Sequence, residues 1–219
     1  MSILAVARTY YTLPDTPYNL WMRDELATAM DLPNDGTRVE IIGGEIVVSP
    51  TPLFEHNAVV WEIQKGLHAA QIAQPDFSWE CVTGQDLALS DLHSGYIPDL
   101  CVLPRDAYVN AMRDKVRKLR PEHLELVVEV TSPTNAPTDR RSGPRRTAPT
   151  KWHEYARVGV PFYLLVDRDP KVATVTLFSE PDRAAGEYGD AIEWKFGEKV
   201  ELPAPLGFSF ATDEWDTWN

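Results

Sequence analysis

The stretch that decides the fold is Leu124-Glu125-Leu126-Val127-Val128-Glu129-Val130, which stops at Thr131-Ser132-Pro133. Side chains alternate along a strand, so Leu126, Val128 and Val130 share one face, while Glu125, Val127, Glu129 and Thr131 share the other. A charged acid among apolar neighbours costs several kcal/mol unless it is paired, so Glu129 calls for a partner. Thirty residues upstream, Ile97-Pro98-Asp99-Leu100 sets a second acid in an apolar strand. Arg38-Val39-Glu40 supplies a third at the start of a hairpin. Two acids converging from adjacent strands repel unless a divalent cation lies between them. Oxygen-only ligation suits Mg²⁺ or Mn²⁺, and a nearby lysine would stabilise negative charge or position an attacking water.

Outward from these strands the pattern is mixed. Tyr18–Met30 has the apolar spacing of an amphipathic helix and ends before Leu32-Pro33-Asn34-Asp35-Gly36. Arg38–Ile42 and Glu45–Val48 read as strands joined by Gly43-Gly44. Glu55–Ile72 returns to the helical period, with Val59, Val60, Ile63, Leu67 and Ala70 in one stripe. Phe77–Thr83, Asp86–Leu89 and Tyr96–Leu103 read as strands, the last at an edge or bulge because of Pro98. Asp106–Arg120 is a basic, partly helical connection. Thr134–Thr150, rich in Pro, Thr, Arg, Ser and Gly, is expected to be a flexible loop. Lys151–Val158 forms a short helix closed by Gly159. Phe162–Val166, Ala173–Phe178, Ala191–Phe196 and Val200–Leu202 close the chain. The order predicts a mixed α+β domain over residues 1–219, with an irregular segment at 1–17.

Composition bounds the rest. The 219 residues are 43% hydrophobic and 25% charged, enough for one sizeable core. No apolar run approaches the ~20 residues that span a bilayer. Ile3–Ala7 has neither a basic region before it nor a cleavage site after it, so a cytoplasmic protein with no membrane partner is expected. Cys81 and Cys101 lack any paired spacing and read as two core thiols. The net charge of −12 argues against nonspecific coating of nucleic acid. Yet Arg105 to Arg157 holds twelve Lys/Arg against seven Asp/Glu, a net of +5 that leaves −17 elsewhere. That basic stretch is either a phosphate-facing surface or a solvated mixed-charge loop.

Several ordered strings resemble the Uma-type endonucleases, a bacterial family of restriction-endonuclease-like proteins within the PD-(D/E)XK superfamily. They are Arg38-Val39-Glu40-Ile41-Ile42-Gly43-Gly44-Glu45, Ser49-Pro50-Thr51-Pro52 with His56, Tyr96-Ile97-Pro98-Asp99, and Leu126 through Thr134. Tyr155 through Pro161 and Tyr163 through Asp167 complete the set. The resemblance implies a restriction-endonuclease-like core, a central mixed sheet flanked by helices with a metal at one edge. Asp99 matches the PD acid and Glu129 the acid of the (D/E)XK element, with the backbone carbonyl of Val130 as a further ligand. The usual lysine position, two beyond that acid, is Thr131. Related proteins move the lysine to the following helix, where Lys151 stands four residues before Tyr155. Glu40 matches an additional acidic ligand, direct or through water.

One departure is visible. An Asp usually precedes the helical lysine by one turn, but Asp139 lies twelve residues before Lys151. Arg140–Thr150 therefore reads as an insertion that brings four arginines, candidate phosphate contacts. His56 reads as a helix-start residue near the site, and Glu125 is expected outside it. The reading that follows is a Mg²⁺- or Mn²⁺-dependent endonuclease acting on DNA, with Asp99, Glu129, Lys151 and Glu40 as its site residues. Two cuts on a duplex call for two sites, which makes a homodimer the natural expectation. The rival from another class is a nuclease fold that binds nucleic acid or protein through a degenerate site. A third, an oligomerisation or regulatory protein, rests only on apolar and aromatic tail residues such as Trp215 and Trp218.

Overall fold

The structure, a computed structural model, describes residues 12–143 and 148–218. The readings of Ile3–Ala7 and of Arg145 and Arg146 lie outside those residues, as does most of the segment 1–17. The helix expected over Tyr18–Met30 is two short ones, α1 (Pro17–Met22) and α2 (Leu26–Ala29). Asp24 breaks the run with φ of 60°, yet Leu20, Trp21, Leu26 and Met30 still bury in one cluster. The apolar spacing therefore recorded a shared buried face rather than one continuous helix. The hairpin follows as β1 (Arg38–Ile42) and β2 (Glu45–Ser49), then the long helix α3 (Phe54–Ala73).

The largest correction concerns Tyr96–Leu103. After β3 (Trp79–Val82) and β4 (Leu87–Leu89), that run is two strands, β5 (Ser94–Tyr96) and β6 (Leu100–Pro104), in different sheets. Pro98 has no N–H for a ladder, and the chain uses that point to cross between sheets. One sheet has the order β2-β1-β5-β4. The other continues through α4 (Arg105–Arg113), β7 (Leu126–Val130), α5 (Ala136–Asp139), α6 (Lys151–Val158), β8 (Phe162–Asp167), β9 (Thr174–Asp182) and β10 (Glu187–Lys195). Its order is β10-β9-β8-β7-β6-β3, with β7 parallel to β8 and the remaining pairs antiparallel. A crossover carrying α5 and α6 joins the parallel pair, as parallel strands require. The expected α+β class with a central mixed sheet and flanking helices is the observed one.

The alternation within β7 sets the layers. Leu126, Val128 and Val130 pack with Val59, Ile63 and Leu67 of α3 in one core. Val127 packs on the opposite side with Trp152, Tyr155 and Ala156 of α6. Cys81 borders the first core and Cys101 belongs to the second, so the two free thiols face away from each other. Within the stretch expected to be a flexible loop, Ala136–Asp139 is helical, with Ala136, Thr138 and Asp139 buried.

The chain ends against α3. A strand pair not expected at its second member, β11 (Val200–Glu201) with β12 (Ser209–Phe210), lays Phe208, Phe210 and Trp215 into the α3 core. Gly66 permits this approach: a Cβ there would lie 2.3 Å from the Ser209 carbonyl oxygen. Alanine in mid-helix ordinarily gains about 1 kcal/mol over glycine, but here it would strike backbone. Gly66→Ala is therefore expected to lower the unfolding free energy by about 1–3 kcal/mol, read as a lower urea midpoint at unchanged slope.

Candidate active site

Five elements, β1, α3, β7, α5 and α6, converge with the β5–β6 crossover at the boundary between the two sheets. The register Leu100↔Val128 brings Asp99, one residue before β6, level with Glu129. Asp99 Oδ2 accepts from the Val130 N–H at 2.9 Å. Its Oδ1 accepts from Arg38 Nη1 at 3.0 Å, and His56 Nε2 stands 2.9 Å away. Arg38 and Glu40 are two apart on β1 and so share a face. Glu40 Oε1 accepts from the Ile97 N–H at 2.9 Å, which ties the crossover segment to the hairpin.

Lys151 lies at the centre, 2% exposed. Its Nζ is 2.8 Å from Glu40 Oε1, 3.0 Å from Glu129 Oε1 and 3.9 Å from Asp139 Oδ1. The insertion after Asp139 thus leaves and returns without separating the acid from the lysine. Burial alone would lower the pKa of the ammonium. Glu129, Glu40 and Asp139 outweigh that and hold the Lys151 pKa well above the usual lysine range. Glu129 is driven the other way: burial raises it well above the ordinary glutamate value against the pull of Lys151, and Asp139, Asp99 and Glu40 add to the rise. Burial also raises Asp99, but His56, the Val130 N–H and Lys151 prevail and keep it low.

All five residues named from the sequence gather here: Asp99, Glu129, Lys151 and Glu40 by side chain, Val130 by backbone. The Val130 carbonyl accepts a long 3.4 Å bond from Asn135 Nδ2. His56 also reaches the site, and Glu125 stays apart from it. Thr131, at the usual lysine position, is fully buried and turned to β8, accepting from the Arg168 N–H at 2.9 Å. The two described arginines of the insertion, Arg140 and Arg141, are paired with acids of this chain rather than left open as phosphate contacts. Arg140 makes two 2.6 Å bonds to Asp167, and Arg141 bonds Glu187 at 2.9 Å. Sequence reasoning passed over Tyr155, whose hydroxyl donates to Glu129 Oε1 at 2.6 Å. The signal was available, since Tyr155 follows Lys151 by one helical turn. Arg38 carried a similar signal through its alternation with Glu40.

Asp99, Glu129, Glu40, Lys151, Arg38 and His56 open into one cleft of about 730 Å³. Around Lys151 the four carboxylates of Glu40, Asp99, Glu129 and Asp139 meet two permanent cations, Lys151 and Arg38, so negative charge is in excess in this cluster. Burial raises Glu129 and Asp139 most, the neighbouring acids add to the rise, and a divalent cation would relieve that second part. Among the described residues no three His, Cys, Asp or Glu side chains are placed to hold an ion by themselves. Mg²⁺ ordinarily takes only one or two carboxylates and completes its shell with water and phosphate oxygens. Asp99 and Glu129 supply that much.

Asp139 provides a pH signature. Burial raises its carboxyl to about 7 despite Lys151, with Glu40 and Asp99 adding to the rise. Below that value the folded state keeps a proton that the unfolded chain gives up near the ordinary aspartate pKa. The associated stability is present in acid and lost as pH rises through about 7. Asp139→Asn carries no charge at either end. It is expected to gain stability relative to wild type between about pH 5 and about pH 8, measured by denaturant titration at both.

The profile of the Uma2 family, described as "Putative restriction endonuclease", matches residues 26–213. Among solved structures, the crystal structure titled a putative nuclease belonging to DUF820, from Anabaena variabilis ATCC 29413, is similar to this chain. The similarity covers 87% of this chain and 90% of that one, at a TM-score of 0.54 and 17% identity. At that identity the likeness is one of fold. No curated protein sequence matches. Glu40, Asp99, Glu129 and Lys151 all fall inside the matched span, and the chain belongs to the Uma2 family, a family of the restriction-endonuclease type.

Proposed function

We propose that this protein is an endonuclease that hydrolyses DNA phosphodiester bonds with Mg²⁺ or Mn²⁺. The observation that carries the reading is the buried Lys151 ammonium set between Glu40 and Glu129, in the cleft that Asp99 also lines. Asp99 and Glu129, with the Val130 carbonyl, are the residues to hold the ion. When bound it supplies Lewis-acid charge to the scissile phosphate and a water made acidic enough to attack.

The chain's own groups do the rest. Lys151, held protonated by its acids, acts as a cation and hydrogen-bond donor rather than as a base. It orients the attacking water and offsets charge on the phosphate. Tyr155 fixes Glu129 from the same helix, and Glu40 holds Lys151 from β1. Arg38 and His56 hold the Asp99 carboxylate at a set angle. No covalent enzyme intermediate is required.

The competing reading, a nuclease fold that holds nucleic acid without cutting it, draws on Asp99 itself. Both of its oxygens already face donors. Cleavage decides between the two. With Mg²⁺ or Mn²⁺, wild type should nick supercoiled DNA and cut linear DNA, and Asp99→Ala and Glu129→Ala should abolish both. Lys151→Ala should slow cleavage by about 10²–10³-fold, with circular dichroism reporting that each variant is folded. No cutting, together with no ion bound in calorimetry, removes the enzyme reading.

A further inference from the structure

The cleft has a second wall that the acidic centre does not use. Arg168, just past the end of β8, is 7% exposed. Its backbone N–H donates to Thr131 Oγ1 at 2.9 Å and its Nε donates to the Asp216 carbonyl at 2.9 Å. Among the described residues no carboxylate lies within ion-pair distance of its guanidinium. The nearest acids in charge influence, Glu55 and Asp216, line the same cleft. Arg168 is therefore a buried cation facing the cleft, with nitrogens to spare for an incoming anion.

The segment Asp216–Trp218 is tied down beside it. The Trp218 N–H donates to the Arg168 carbonyl at 3.0 Å, and the half-buried indole lines the cleft. The ring pairs with no other aromatic ring among the described residues, although Phe196, Phe208, Phe210 and Trp215 nearby in sequence all do. The stitching runs back to the acids: Thr131, which anchors Arg168, is two residues beyond Glu129. These bonds tie the backbone at Trp218 to Arg168, and Arg168 to the strand that carries Glu129.

Resting on the nuclease reading, we propose that Arg168 and Trp218 form a nucleotide subsite for an unpaired DNA strand: Arg168 takes a phosphate next to the scissile one, and Trp218 stacks on its base. Three features select a single strand over a closed duplex. The acids lie at the bottom of the cleft, Glu129 1% and Asp99 5% exposed. A lone strand can turn its phosphates down to them and lay its bases on the wall. Pro50, Pro52, Leu53 and Pro133 join Trp218 in the cleft lining, between polar residues such as Ser49, Thr51 and Thr134, and stacking on the half-buried indole needs bases freed from pairing. The chain's net charge of −12 also disfavours the dense charge of duplex DNA.

The test is fluorescence anisotropy with labelled oligo(dT) of about 15 nucleotides and a blunt duplex of equal length, in Ca²⁺. Wild type should bind the single strand about tenfold more tightly than the duplex. A stacked base is worth roughly five- to a hundredfold in affinity. Trp218→Ala should therefore weaken oligo(dT) binding by about tenfold, Trp218→Phe should restore most of it, and Arg168→Gln should weaken it too. Equal or tighter duplex binding overturns the proposal, as does an unaltered Trp218→Ala or no binding of either DNA. The parallel cleavage assay separates the two ideas. Metal-dependent cutting that ignores Trp218 keeps the nuclease and removes the subsite. Trp218-dependent binding without cutting keeps the subsite and removes the nuclease.

Discussion

Everything at the sheet boundary is arranged around one buried ammonium. Lys151 comes from α6, and the carboxylates that hold its proton come from β1, β7 and α5. None of those elements is adjacent to all the others in sequence, so the ion pairs act as a clasp between two sheets and a helical crossover. A buried pair of this kind gives little net stability against an apolar replacement, but breaking one side strands the other and costs about 3–5 kcal/mol. The cluster is better understood as specifying position than as strengthening the fold. Its acids outnumber its cations, which is the opposite of what a purely structural clasp would favour.

The scaffold that delivers these groups follows from alternation. In β6, β7 and β8 one set of side chains enters the α3 core and the other enters the α6 core. Glu129 belongs to the α6 side, and that alone places it within reach of Lys151 and Tyr155. Asp99 gets there by another route. Its segment leaves one sheet and joins the next, so its carboxylate sits at the seam where the cleft opens.

Much of this was legible in the sequence, because strand period and helix period are local properties. The hairpin, α3, β7 and α6 were read close to their observed bounds. What failed depended on distant partners. The spacing of Leu20, Leu26 and Met30 fits a single helix equally well as two helices on one core. An apolar run through Pro98 fits one bulged strand as well as a crossing between two sheets. The acids of the site were visible because buried charge is unusual. The place of Arg168 and Trp218 was not, because an arginine after a strand looks ordinary and a tail tryptophan reads as an oligomerisation contact until the fold sets both against one cleft. The segment 134–150 looked wholly loop-like by composition, and only its contacts reveal α5 and a fully buried Asp139.

Asp139 and Lys151 stand at the two ends of an inserted stretch, one closing α5 and the other opening α6. Closing a loop costs only about 0.6 kcal/mol more for each doubling of its length. With its ends anchored, the number of residues between this acid and this lysine is nearly free to drift over evolution. A motif defined by counting residues along the chain will miss relatives whose insert is longer or shorter. One defined by which side chains meet in space will not.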